Sequence, residues 1–176
     1  MRSMSLRGRF TLADNARITD HEIFRYEAND LTRGWIVEAA YIWPATLRAP
    51  MTGGDGGYQV AASIATDLIG SASFDGICDA SDNRQIAWCQ AGWTHRESAV
   101  TDFISNSRNP PAPCPFVVDP EHVVANGIWI NMYTTSDWSE SNDREWCYMI
   151  ILKPKKMDPK ETILHLIKNV AQDVVN

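Results

Sequence analysis

Apolar and polar residues alternate with a period of two along most of this chain, as they do in strands with one buried face. The clearest run is Thr32 to Trp43. Trp35, Val37, Ala39, Tyr41 and Trp43 fall on one face, and Ile36, Ala40 and Ile42, broken by Glu38, on the other. Apolar residues on both sides predict a strand covered on both faces for much of its length. Pro44 and Pro50 end it, because proline gives no N–H to a ladder. Shorter strands are predicted at Arg9–Leu12, Ile18–Glu27 and Ile86–Thr94, and from Phe116 to Val118. His122–Thr134 sets Ile128, Ile130 and Met132 against Trp129 and Tyr133, and Glu145–Lys153 is apolar at nearly every position from Trp146 to Leu152. Tyr58–Ile69 fits both periods: Val60, Ala62 and Ile64 alternate, while Val60, Ile64 and Leu68 are helically spaced. The glycines before it and Gly70 after it favour a strand.

The connections are read from their breakers. Met51–Gly57 holds four glycines around Asp55 and forms a loop tip; no Gly-Lys-Ser/Thr follows, so it is not a phosphate-binding loop. Ser98–Ser105 is predicted to make one or two helical turns, with Ala99, Val100, Phe103 and Ile104 on one side. Ser105–Pro115 and Thr135–Asp143 are polar loops, and Trp138 sits near the middle of the second. Seven or eight strands between turn signals predict two packed antiparallel sheets, a sandwich or jelly roll.

The period changes after Lys153. Residues 153–157 are a short basic linker, and Asp158–Asn176 reads as a helix. Asp158 can cap it, Pro159 suits its first position and Glu161 falls where a capping box wants an acid. Ile163, Leu164, Leu166, Ile167, Val170, Ala171, Val174 and Val175 then form a wide apolar stripe. Such a helix would run roughly 28 Å at about 1.5 Å per residue. Gross burial of the stripe is on the order of 12–20 kcal/mol before entropy is subtracted. That surface must be covered, by the body of the chain or by another copy. The organisation is therefore a basic N-terminal arm over residues 1–7, one β-sandwich domain over 8–153, and a linker and C-terminal amphipathic helix over 154–176.

Composition narrows the function. The 176 residues suit one domain with a real core, and 44% apolar and 22% charged residues are ordinary for a soluble globular protein. Seven Trp give unusual aromatic weight to the core and any binding surface. A formal net charge of −6 argues against a dedicated nucleic-acid binder, leaving only the arm's Arg2, Arg7 and Arg9 for such a contact. No apolar run is long enough for a membrane span, and no apolar signal-peptide core follows the N-terminal arginines. Cys78, Cys89, Cys114 and Cys147 include no CxxC pair. Cys89 and Cys147 lie in apolar strand patterns and read as buried free thiols; a disulfide through Cys78 or Cys114, both in loop-like surroundings, is the lesser alternative.

Candidate chemistry is sparse. Asp20-His21-Glu22 and Asp119, Glu121 and His122 are adjacent groups, with His95 able to join either. Neighbours in an extended segment point to opposite faces, so solvated loop residues are the better account than a metal site. There is no G-x-S-x-G elbow and no local Cys-His signature for a nucleophile. Trp138 and Asp137, in Ser136-Asp137-Trp138-Ser139-Glu140, could stack on a sugar or meet a partner, or fold back onto the sandwich rim.

Arg7-Gly-Arg-Phe-Thr-Leu, Gly34-Trp-Ile-Val-Glu-Ala-Ala-Tyr-Ile-Trp-Pro, Gly127-Ile-Trp-Ile-Asn-Met-Tyr and Trp146-Cys-Tyr-Met-Ile-Ile-Leu together resemble, in layout and strand character, small β-rich virion proteins of environmental phages and viruses. The resemblance covers residues 7–153 and implies a self-assembling or shell-decorating protein without catalysis. The C-terminal helix has no counterpart in that layout. The expectation is a mainly β, antiparallel sandwich or jelly-roll-like domain with a C-terminal amphipathic helix. It would be non-enzymatic and without a cofactor or metal, a capsid or capsid-associated component. Its partners would be further copies of itself or other virion proteins. Its location would be the virion, or otherwise soluble without a signal peptide. Ile163, Leu166, Ile167, Val170 and Val174 are its candidate subunit contacts, with Trp138 and the Gly53–Gly57 loop secondary. The alternatives are a lectin-like module using Trp138 and Asp137, and a jelly-roll enzyme with His21, His95 and His122 as metal ligands.

Overall fold

A computed structural model describes residues 2–25, 32–45, 56–70, 76–96, 103–105, 114–124, 127–136 and 143–158, with residues 160, 163, 164 and 167. Ten strands follow in chain order: β1 (Met4–Ala13), β2 (Arg17–Arg25), β3 (Arg33–Pro44), β4 (Gly56–Ala65), β5 (Gln85–Arg96), β6 (Phe103–Ser105), β7 (Cys114–Pro115), β8 (Val117–Val118), β9 (Gly127–Ser136) and β10 (Asp143–Lys156). They form two antiparallel sheets. One has the order β1-β10-β3-β7; the other has the order β2-β9-β4-β5-β6, with β8 also on β5. The pairs nest: β4 with β5, β3 with β7, β2 with β9, and β1 with β10. The chain is in effect one long hairpin rolled so that its two halves face each other.

The core lies between the sheets. Phe10, Leu12, Ile42, Trp146, Ile150 and Leu152 of the first sheet meet Val60, Ala62, Ile64, Ile128, Ile130 and Met132 of the second. The parity of β3 changes within the strand. Leu152 faces Val37 and Ile151 faces Ala39, so Glu38 is an extra residue, a β-bulge. Before it Trp35 and Val37 face the core; after it Ala40 and Ile42 do. This bulge is why apolar residues appear on both faces of the sequence run. The expected covering of both faces is not found: Ala39, Tyr41 and Trp43 lie outward and stay half-exposed.

The two sides of the sandwich differ. On one side the chain crosses between sheets at Phe116, whose N–H donates to the Ala40 carbonyl at 2.9 Å. Cys114–Pro115 pairs with β3, and Val117–Val118 pairs with β5. On the other side β1 and β2 are both edge strands among the described residues. The turn joining them is held from both sheets. Arg144 of β10 gives both carboxylate oxygens of Asp14 a charged hydrogen bond, with both side chains fully buried. The Thr134 hydroxyl of β9 donates to the Ala13 carbonyl at 2.9 Å.

Several boundaries differ from those expected. Residues 4–7 are not a loose arm but the start of β1, paired with Met149 to Leu152. Residues 153–156 are not a linker but the end of β10, paired with Arg33 to Ile36. Phe103–Ser105, expected in a helical turn, pairs with Thr94 to Arg96 as a strand; the partner's open edge outweighs a weak local preference. Cys114 lies in a strand rather than a loop. The remaining residues of 98–113 lie outside the described residues.

Candidate self-association surface

Strand alternation assigns every second residue of the β1-β10-β3-β7 sheet to its outward face. Three cross-strand rows result. Arg9, Cys147 and Trp43 form the first; Arg7, Met149, Tyr41 and Pro115 the second; Ser5, Ile151 and Ala39 the third. None of these belongs to the core cluster or packs against it. The solvent face of an antiparallel sheet is ordinarily polar. Here its middle two strands offer two aromatic rings, a thioether, a thiol and an isoleucine, all half-buried. Charge surrounds them: Arg9 pairs with Glu145 of β10 at 2.9 Å, Lys153 lies opposite Ile36, and Glu38 at the bulge is exposed beside Ala39.

β10 leads directly to the C-terminal segment. Met157 closes the strand, buried, with its N–H donating to the Thr32 carbonyl at 2.8 Å. Asp158 then accepts the Lys160 N–H at 3.0 Å. Lys160, Ile163, Leu164 and Ile167 have helical backbone. Ile163, Leu164 and Ile167 are 49%, 66% and 57% exposed, and their spacing puts them on one side of a helix. Of the candidate contacts, Ile163 and Ile167 are thus on the surface. Leu166, Val170 and Val174 lie outside the described residues, as do Asp137, Trp138 and residues 53–55; Gly56 and Gly57 begin β4.

Several of the groups considered for chemistry are committed locally. His21 stacks on Phe10 with centroids 5.2 Å apart, and buried His122 meets the Thr66 hydroxyl at 3.3 Å. Asp20 holds the Ile69 and Gly70 N–H groups at 2.8 and 3.0 Å, and Glu22 pairs with Arg25. The side chain of His95 is outside the described residues. Among the described residues no three His, Cys, Asp or Glu side chains are grouped to hold a metal, and no helix is long and apolar enough to cross a membrane.

Two features were not legible in the sequence. One is a buried polar row on the outward side of the second sheet: Trp88, Ser63 and Asn131 are cross-strand neighbours. The Asn131 carbonyl oxygen accepts the Asp20 N–H at 2.7 Å and fixes a bulge in β2, where Asp20 has a φ of 58°. The other is the placing of the thiols. All four cysteines are free. Cys114 is buried against Cys89, not in a loop; the hydrogen bond between them, with burial, pushes the Cys89 thiol up, and the same hydrogen bond draws the Cys114 thiol down against the effect of its burial. Burial pushes the Cys78 thiol up. Cys147, expected in the core, is half-buried on the outward face beside Trp43.

No protein-family model and no curated protein matches the chain.

Proposed function

We propose that this chain is a non-enzymatic structural protein that assembles with copies of itself, as a component of a virus-particle shell. The observation carrying this reading is the uncovered apolar group Ile163, Leu164 and Ile167 beside a well-packed core. Large apolar side chains grouped at helical spacing and left in water mark a contact to be made. Residues 158–176 then act as an amphipathic helix whose stripe, including Leu166, Val170 and Val174, packs between subunits. The nested strand order supports the reading, because it is that of a double-sheet jelly roll, an architecture shared by viral shell domains and lectins. Symmetric assembly multiplies a small patch by the number of copies.

Ile163→Asp combined with Ile167→Asp tests this. Both positions are exposed, so the isolated fold tolerates the change. Size-exclusion chromatography should show the wild-type assembly lost while the β-sheet circular dichroism is kept. An unchanged elution position would refute the role of the segment.

A further inference from the structure

We propose that the outward face of the β1-β10-β3-β7 sheet is the acceptor for the apolar C-terminal segment of a second copy of this chain, an inference that rests on the self-assembly reading and names its other half. The face is built as a seat. Trp43, Tyr41, Met149 and Ile151 occupy adjoining positions on its two central strands, and Cys147 lies between Trp43 and Arg9. A solvated sheet would place polar residues there. Ile36, opposite Lys153, extends the strip toward the end from which the C-terminal segment leaves.

The same chain carries the matching half. Ile163, Leu164 and Ile167 remain largely exposed although this face belongs to their own chain. The seat therefore is not taken by these residues in cis, and each copy has one apolar surface to give and one to receive. The lengths agree. From Lys153 to Cys147 the strip is about 20 Å at the strand rise, and the residues from Ile163 to Val174, in the helix proposed above, would span about 16 Å. Exchange about a two-fold axis would seat both segments at once, so every contact is made twice.

Cys147 gives a direct reading, because a native thiol sits inside the seat. In the assembled wild-type protein, maleimide labelling of Cys147, followed by peptide mass mapping, should be about tenfold slower than in the Ile163→Asp, Ile167→Asp protein, as expected when most copies are docked. Equal rates in an assembled wild type would overturn the acceptor assignment while leaving assembly standing. A complementation experiment separates trans from cis. Tyr41→Asp with Met149→Asp removes the seat, and Ile163→Asp with Ile167→Asp removes the stripe. Neither protein should assemble alone, and mixing them should restore a heterodimer through the one intact seat and stripe. No restoration between folded variants, or normal assembly of the seat variant, would overturn the inference. A wild-type protein that is monomeric throughout would instead overturn the self-assembly reading beneath it. A single-stranded oligonucleotide that protects Cys147 where the second copy does not would assign the face to a nucleic acid and overturn it too.

Discussion

Arg144 buries its guanidinium at the start of β10 and gives it to both oxygens of Asp14 in the β1–β2 turn. Neither ion reaches water, so removing one leaves the other stranded. Asp14→Ala should cost about 3–5 kcal/mol in urea unfolding. Asp14→Leu combined with Arg144→Met should cost much less, because no lone charge remains. Equal losses would show that the pair matters for packing rather than for charge. Asp82 is the acid-sensitive counterpart. Burial pushes its carboxyl up, but the hydrogen bonds and charge of Arg84 outweigh this and leave it below the usual carboxylate value. A carboxyl lowered by folding stabilises the native state above its unfolded pKa of about 3.9 and ceases to as pH falls through the lower folded value. The protection of the Arg84 N–H, which donates to the Asp82 carboxylate at 3.0 Å, should therefore fall below about pH 4 and stay constant above it once the intrinsic pH dependence of exchange is divided out. Asp82→Asn should abolish that acid-dependent step.

At the scale of elements, the bulge at Glu38 determines which side chains of β3 face the core. Deleting Glu38 would carry Trp35 and Val37 to the outward face or force the strand to slip against β10. The expected result is a loss of about 3 kcal/mol or more by chemical denaturation, whereas Glu38→Ala, which keeps the extra residue, should change stability little. The same strand shows what the sequence could and could not reveal. Its existence and that of β9 follow from alternation, that of β4 needed its flanking glycines as well, and that of β10 follows from a continuous apolar run. The bulge does not, because one inserted residue turns a single buried face into apparent apolarity on both sides. Cys114–Pro115 was hidden by its length: a two-residue strand that follows Pro113 and includes Pro115 has no period to detect. Phe103–Ser105 read as helical because three residues are too few to show a strand period. The candidate site divides along the same line. Ile163 and Ile167, named from a helical repeat in the sequence, are exposed, while the outward face exists only once cross-strand register places Tyr41 beside Met149 and Trp43 beside Cys147.

At the scale of the whole molecule, nesting brings Met4 beside Leu152 and leaves β1 and β2 as edges among the described residues. β1 is guarded by outward Arg7 and Arg9, and β2 by two bulges, devices that discourage indiscriminate edge pairing. If the chain assembles as proposed, the surface left for that contact is apolar side-chain surface and not open backbone. A chain with a closed core and an uncovered apolar group should exchange solvent for copies of itself as concentration rises. Sedimentation velocity of the wild-type chain across a concentration series measures this most directly. The account predicts a discrete assembly of two or more copies that dissociates on dilution. A single monomeric species at every concentration up to the millimolar range would contradict it.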